Sequence, residues 1–289
     1  MAAGPRPLTA AQGGWMQREQ ALLGTIATVQ LWADDRARGA AVLVAVMGEL
    51  RRIDQAYRGQ RADSELAMVN TLGTRQPVRV SDECFRLVAR AQELVRLTGG
   101  AFSIGCSLAL DAAASSLQIT APGGRLTLEG LIGGYATERA TRGLARQGVP
   151  HAIVSVGGCC RLLGDRRGQP WTVTLRDPQG RAEAAAGPPL ALLPLQDVAV
   201  ATVDAPNTTG GRDDGGADGL RSATVIAADG LTAAALAHAA VALGMAAGMA
   251  LVEGHAGADA VLLDAQGRLH CSSGFDTLGP QQDRARARA

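Results

Sequence analysis

The order of helical and strand patterns along the chain is the feature that most restricts its fold. Apolar residues recur at helical spacing over residues 38–58, and Ser81 caps a second helical segment that ends at Gly99-Gly100. Two more helices are predicted over residues 135–146 and 232–247. Because strand patterns lie between these helices without strict alternation, the sequence favours an α+β fold over a doubly wound parallel sheet.

Strands are predicted where short apolar or alternating segments are bounded by turn residues. They cover residues 21–32, 152–156, 171–175, 198–203, 222–227 and 258–263, and a turn at 265–268 leads into one more. Residues 179–189 and 204–220 are predicted to be irregular because Ala, Pro, Gly and Asp dominate them. A flexible leader (1–20) and a disordered tail (279–289) are expected to flank one domain at 21–278.

Composition excludes several functions. Arg and Lys together number 28 against 27 acidic residues, so no strong field favours nucleic acid or an anionic membrane. All the basic residues are arginine, which excludes any mechanism that needs a lysine amine. Aromatic residues make up only 3% of a chain that is 47% apolar, so the core must be built mostly from Ala, Leu and Val and packed closely.

The predicted location is the cytoplasm, with no membrane span. No apolar run near the start is long enough for a signal-peptide core, and an odd count of 5 cysteines suits a reducing compartment. The neighbouring Cys159 and Cys160 are either a redox pair or two ordinary thiols beside a loop.

Four short patterns follow one another in an order more specific than any one of them. They are Leu23-Gly24-Thr25; Ser64-Glu65-Leu66 with Asn70; the run from Gly99 to Ile104, which contains Phe102 and Ser103; and the run from Leu128 to Ala136, which precedes Val154-Ser-Val-Gly157-Gly158. With the Ala-rich segment at 233–244, this order resembles the ApbE family of flavin transferases across residues 22–265.

The resemblance implies a T-fold-like architecture with mixed sheets, packed helices and a cleft between two lobes. It implies that FAD binds there, with Mg²⁺ activating the pyrophosphate, and that a threonine of an acceptor flavoprotein attacks the FMN phosphorus while AMP leaves. The cofactor-binding positions that it implies are Gly24, Thr25, Ser64, Glu65, Asn70, Phe102, Ser103, Gly130, Gly134, Tyr135, Glu138, Gly157 and Gly158.

Several positions depart from the family pattern. The family's Lys-Gly-Tyr step is Gly133-Gly134-Tyr135 here, and the aspartate that follows it is Glu138. Ser103 stands where an aspartate follows the phenylalanine, and Cys159 replaces the aspartate after the glycine pair. The family's His-Ile-x-Asp-Pro-x-Thr-Gly segment has no counterpart in residues 204–220.

The family's Mg²⁺ ligands, an Asp and a Thr on one helix face, correspond to Ala234 and His238. Alanine lacks the hard oxygen donor that Mg²⁺ prefers, and imidazole replaces it poorly. His238 is therefore either a solvated or core-edge residue, or a ligand of a softer metal together with one of the loop aspartates Asp213, Asp214 and Asp218.

Several motif residues fit two roles when only the sequence is considered. The glycine turn at 129–134 either presents backbone N–H groups to a pyrophosphate or is an ordinary tight turn. Tyr135 either stacks on a flavin or adenine ring or packs into the core, and Glu65 and Asn70 either hold ribose or adenine or cap a turn. Three functions remain: an FMN transferase with altered ligands, a flavin-binding protein that has lost transfer, and a helper that binds another protein partner.

Overall fold

A computed structural model of the chain describes residues 13–57, 64–177, 189–205 and 219–277. The helices in these ranges are α1 Arg36–Tyr57, α2 Glu65–Leu72, α3 Asp82–Leu97, α4 Glu129–Arg146, α5 Gly230–Leu243 and α6 Met245–Glu253. The strands are β1 Gly14–Leu22, β2 Thr25–Ala33, β3 Val78–Arg79, β4 Leu108–Asp111, β5 Ser116–Ile119, β6 Ala152–Val156, β7 Cys159–Leu163, β8 Trp171–Leu175, β9 Ala191–Leu195, β10 Ala199–Asp204, β11 Leu220–Ala227, β12 Asp259–Asp264 and β13 Leu269–Cys271. A short 3-10 helix covers Ser273–Thr277.

An eight-stranded sheet organises the described part of the chain. Its order is β1-β2-β6-β7-β10-β11-β12-β13, and every neighbouring pair is antiparallel. Helices α4 and α5 cover one face, where α5 packs on β10 and β11. Because α5 presents mainly alanine to these strands, the helix can approach the sheet closely.

The opposite face of the sheet carries a second, smaller core. The two-stranded sheet β8-β9 lies there, and Leu162, Trp171, Leu195, Ile226 and Phe275 are buried together. A separate three-stranded sheet, β3-β5-β4, packs beside α2. None of the helices within the described ranges is long and apolar enough to cross a membrane.

Caps and apolar stripes explain where the predicted helices form. The Ser81 hydroxyl accepts the N–H of Cys84 at 3.2 Å, and Asp82 and Glu83 lie in the positive first turn of α3. The Asp229 carboxylate caps α5 in the same way by accepting the N–H of Thr232 at 2.9 Å. The α+β class, the helices at α1 and α3 and the strands at β6 and β8 are confirmed.

The predicted start of the fold is wrong in position. Residues 14–20, assigned to the leader, belong to β1, and the single strand expected at 21–32 contains the end of β1, a turn and most of β2, which pair as a hairpin. Leu23 and Gly24 form its two-residue turn with φ of 55° and 76°, the positive values that such turns require. Residues 1–12 and the predicted tail at 279–289 lie outside the described residues, and the boundary at 278 stays a prediction.

Two helix predictions also need correction. The glycine turn expected at 129–134 is the first part of α4, which begins six residues before the predicted start. The helix expected at 232–247 ends at Leu243, because Gly244 has φ of 82° and separates it from α6, to which residues 245–247 belong. The segments predicted to be irregular lie mostly outside the described residues, but the last residue of β10, Asp204, and the first residue of β11, Leu220, occupy the edges of the second segment.

The neighbouring cysteines do not form a redox pair in this structure. Cys159 and Cys160 are consecutive in β7, so their side chains point to opposite faces of the sheet. Cys159 faces α4, where its Sγ would lie 3.2 Å from a Cβ placed on Gly133. Burial raises the pKa of the Cys159 thiol to about 11 and that of Cys160 to about 12, which keeps both protonated at neutral pH.

Candidate functional site

The start of α4 and the middle of α5 bring together three of the predicted site residues. A Cβ added to Gly130 would lie 3.1 Å from Cδ2 and Nε2 of His238 and 3.3 Å from Cε2 of Phe102. The rings of Phe102 and His238 are 6.2 Å apart and tilted by 46°. A side chain at 130 would press against this imidazole and the Phe102 ring. These three residues form the candidate site at the start of α4.

The two expected metal-ligand positions do not suit Mg²⁺. Ala234 is 1% exposed and offers no oxygen, and burial lowers the pKa of His238, which favours its neutral form. No group of three or more Asp, Glu, His or Cys in the described ranges could hold a metal ion. The hypothesis of a softer metal would use Asp213, Asp214 or Asp218, which lie outside the described residues.

The next glycines of α4 serve helix packing. A Cβ on Gly134 would overlap the backbone carbonyl oxygen of Gly230, and a Cβ on Gly230 would lie 2.7 Å from the carbonyl oxygen of Gly134. The backbones of α4 and α5 therefore touch at this glycine pair. Because Gly134 sits inside a helix, its backbone N–H is not presented to a ligand as the predicted turn would require.

Two loops at the edge of the sheet lie side by side, as the resemblance implies for a shared site. Gly157 has φ of 57°, and a Cβ there would lie 3.3 Å from the side-chain methyl of Thr25, which follows Gly24. Gly158 is fixed by packing, because a Cβ would overlap the carbonyl oxygen of Thr202. The structure thus brings together the first and last of the four sequence patterns.

Four further predicted positions make hydrogen bonds within the protein. Ser64 caps α2 by accepting the N–H of Ala67 at 3.1 Å, and the Glu65 carboxylate accepts the Ser81 hydroxyl at 2.8 Å. The Asn70 amide donates to the carbonyl of Leu126 at 2.9 Å and accepts its N–H at 2.7 Å. Ser103 accepts the N–H of Gly105 at 3.0 Å. Each of these bonds connects elements or closes a turn, which favours a structural role for Glu65 and Asn70.

Tyr135 packs into the core. Its ring is 9% exposed and meets the ring of Tyr57 edge-on at 5.8 Å, and its hydroxyl donates to Glu83. Burial raises the pKa of the Tyr135 hydroxyl. The structure therefore favours packing in the core over stacking on a cofactor ring.

Glu138 forms a junction between three elements. Its Oε1 accepts the backbone N–H of Gly230 at 3.0 Å and Nε of Arg161 at 3.0 Å, so one carboxylate joins α4, α5 and β7. The contact with Gly230 places a negative charge at the positive start of α5. The sequence analysis did not identify Arg161 and Gly230 as partners of Glu138. These residues are far from Glu138 along the chain, so no local spacing indicates the contact.

Comparisons with known proteins show which family this chain matches. The model of the ApbE family matches residues 23–115 and 106–205. A FAD:protein FMN transferase of Klebsiella pneumoniae (strain 342) is 25% identical over 198 residues, which cover 57% of this chain and 60% of that protein. The chain therefore matches about three fifths of the length of this curated relative.

Solved structures with the same architecture confirm the predicted ApbE-like α+β fold. The flavin transferase ApbE from Vibrio cholerae has a TM-score of 0.77 at 19% identity, covering 92% of this chain and 100% of that one. The ApbE protein from Thermotoga maritima has a TM-score of 0.79 at 19% identity and covers 93% of this chain and 100% of that one. At these identities the similarity establishes the fold alone.

Proposed function

The chain belongs to the ApbE family, and from that premise we propose that it binds FAD at the start of α4 and that its metal-dependent transfer of FMN to a protein threonine is reduced or lost. The observation that carries the proposal is the pair of α5 positions at which a magnesium site would need oxygen ligands. Ala234 has no donor, and His238 packs against Phe102 and Gly130.

The transfer reaction explains why these positions matter. The threonine oxygen would form a bond to the FMN phosphorus, the bond from that phosphorus to the AMP oxygen would break, and the threonine proton would pass to a base or to water. AMP then carries the charge of the leaving group. Phosphoryl chemistry of this kind depends on neutralising charge at the phosphates, so losing a carboxylate-held cation removes a large part of the rate.

Retained FAD binding is supported by what the site keeps. The N–H of Gly130 has no hydrogen-bond partner among the described residues, so the first turn of α4 can receive a phosphate oxygen. The close pair of Thr25 and Gly157 is also kept. The name of the Klebsiella relative includes FAD as its substrate.

The partner in this proposal is a protein. It is an acceptor flavoprotein if transfer survives at a low rate, or another protein if the fold is kept for binding alone. A cytoplasmic location, indicated by the odd number of cysteines, belongs to the same proposal.

The test measures AMP release from FAD in the presence of Mg²⁺ or Mn²⁺ and an acceptor threonine peptide. We expect the natural chain to release AMP at least about 100-fold more slowly than an ApbE transferase assayed beside it. Removing one group that stabilises the charge of a transition state typically slows a reaction by that factor or more. The double variant Ala234→Asp, His238→Thr restores the two oxygen ligands and is expected to gain metal-dependent release.

The matched control is Ala234→Asn with His238→Thr, which has nearly the same shape without the charge, and circular dichroism checks that each variant folds. Rapid AMP release by the natural chain would contradict the lost transfer. Failure of the natural chain to bind FAD at all would contradict the binding half of the proposal and favour a helper that serves a partner.

A further inference from the structure

The two edges of the eight-stranded sheet are built differently. At one edge, β13 has only three residues, and a short 3-10 helix follows it directly. At the other edge, β1 has nine residues and pairs with β2 without a bulge, and no strand lies beyond it within the described ranges. Short edge strands and bulges normally protect a sheet against pairing with another strand, so β1 lacks a protection that β13 has.

Backbone groups on the outer side of β1 are available for such pairing. Leu22 and Thr25 flank the two-residue turn of the hairpin and form a hydrogen-bonded pair, so every second residue back from Leu22 points its N–H and C=O at β2. The residues that point these groups away from the sheet are Trp15, Gln17, Glu19 and Ala21. None of these outward groups has a hydrogen-bond partner in the described part of the chain, and the middle of the strand is exposed. Another strand can therefore pair with β1 without displacing an existing bond.

Two arginines flank this edge at its Trp15 end. The guanidinium of Arg166 lies 5.5 Å from the centre of the Trp15 ring, and that of Arg167 lies 4.2 Å from the centre of the Trp32 ring. Both arginines are exposed and lie in the loop between β7 and β8. Because a cation–π contact uses the face of a guanidinium, the N–H groups at its rim can still bind carboxylates.

The charges beside the edge favour an acidic partner. Arg18 and Arg166 form no ion pair with any residue that the structure describes. Of the nearby carboxylates, Glu19 accepts a hydrogen bond from a neighbouring side chain at 2.7 Å, and Asp34 lies 3.9 Å from Arg167. Three arginines therefore stand against two carboxylates that already have partners, which leaves a positive surplus along β1.

We propose that β1 binds an extended acidic segment of a partner protein, which adds to the sheet as a further strand with its carboxylates beside these arginines. Main-chain hydrogen bonds to the outward groups of β1 supply the affinity, and the arginines select acidic side chains. A second copy of the chain fits less well, because pairing β1 with its own copy over its full length sets Arg18 opposite Arg18. The surface goes beyond the proposed function, since it requires neither FAD nor the site at the start of α4.

The test titrates the full chain, without FAD, with a short capped peptide of alternating valine and glutamate and follows heat and tryptophan fluorescence. All three tryptophans of the chain, Trp15, Trp32 and Trp171, meet in one cluster at this edge, so the fluorescence reports on the proposed surface. We expect a Kd below about 1 mM. The same peptide with lysine in place of glutamate should bind at least about tenfold more weakly.

Two pairs of variants separate the roles of backbone and charge. Gln17→Pro removes one outward N–H but no hydrogen bond to β2, and it should weaken binding of the acidic peptide at least about fivefold. Its matched control, Gln17→Ala, keeps that N–H and should bind as the natural chain does. Arg166→Gln should weaken binding about threefold, whereas Arg75→Gln, at an exposed arginine between α2 and β3, should have no effect. Circular dichroism checks the fold of each variant.

Three results would overturn the proposal. The first is the absence of binding by the acidic peptide, or equal binding of the acidic and lysine peptides. The second is unchanged binding by Gln17→Pro, because the peptide would then not use the edge of β1. The third is a dimer of the natural chain in sedimentation experiments that Gln17→Pro dissociates, because a second copy would then occupy this edge.

Discussion

The two parts of α4 use charge in opposite ways. The first six residues of α4 face α5 and β7 through three glycines, Gly130, Gly133 and Gly134. The groups that these glycines contact are neutral: Phe102, His238, Cys159 and Gly230. From Tyr135 onward the helix forms a dense set of ion pairs and hydrogen bonds with α1, α3 and β7. Charged side chains thus join the second part of α4 to its neighbours, whereas its first part meets neutral groups in the region where the family resemblance implies phosphate and metal.

The ion pairs of the second part are connected to one another. Glu49 of α1 accepts from Arg52 at 2.8 Å and from Arg139 of α4 at 2.9 Å, and Arg52 also reaches Glu83 of α3 at 2.7 Å. The hydroxyl of Tyr135 donates to the same Glu83. These residues form one network that fixes three helices relative to one another.

The largest effect is expected where the two helix backbones touch. Gly134→Ala places a Cβ on the carbonyl oxygen of Gly230, so α4 and α5 must separate, and we expect a loss of about 2 kcal/mol or more in unfolding free energy. Urea unfolding measures it. The control is Gly143→Ala in the same helix, where a Cβ meets nothing within 4 Å and should stabilise by about 0.5–1 kcal/mol. Equal behaviour of the two variants would show that this close approach is not required.

The next effect concerns the carboxylate that joins α4 to α5. Glu138→Ala leaves the guanidinium of Arg161, whose side chain is 18% exposed, without its carboxylate partner, and the expected loss is about 1.5 kcal/mol. Chemical denaturation at pH 7 is the measurement. Glu93→Ala, which breaks an exposed pair with Arg90, should cost less than about 0.5 kcal/mol. A small effect of Glu138→Ala would mean that the junction is not what positions α5.

A smaller and pH-dependent effect is expected in the ion-pair network. Hydrogen bonds from Arg52 and Arg139 lower the pKa of Glu49 to about 2 from an ordinary value of 4.5. A lowered carboxyl pKa stabilises the fold above pH 4.5, and this contribution disappears as the pH falls towards 2. The melting temperature of Glu49→Gln should therefore lie below that of the natural chain at pH 7 and approach it on acidification. A difference that stays constant with pH would contradict this assignment.

Local patterns in the sequence were sufficient for much of the fold. The capped helix at Ser81 and the apolar stripe of α1 depend on spacing within one element, and both are present as predicted. The start of α4 was mistaken for a turn because three glycines disfavour a helix by propensity. What stabilises that helix is contact with Gly230, about a hundred residues away, which no local pattern contains.

Sequence patterns indicated which residues of the candidate site lie together, but not the partners of every side chain. The residues singled out from the order of motifs include Phe102, Gly130 and His238, and the structure brings these three together. Their role in binding stays a prediction. The order of motifs could not tell that Tyr135, Glu65 and Asn70 make contacts inside the protein. Those contacts depend on side-chain partners in other elements, such as Glu83, Ser81 and Leu126.

Calorimetric titration of the natural chain with FAD, with and without Mg²⁺, tests the central claim most directly. Because the described site offers Mg²⁺ no carboxylate at Ala234, the account predicts that FAD binds with the same affinity in both conditions, within about twofold. Gly143→Ala serves as a folded control that should behave identically. An affinity that rises tenfold or more with Mg²⁺ would contradict the account and would mean that a metal site survives with other ligands.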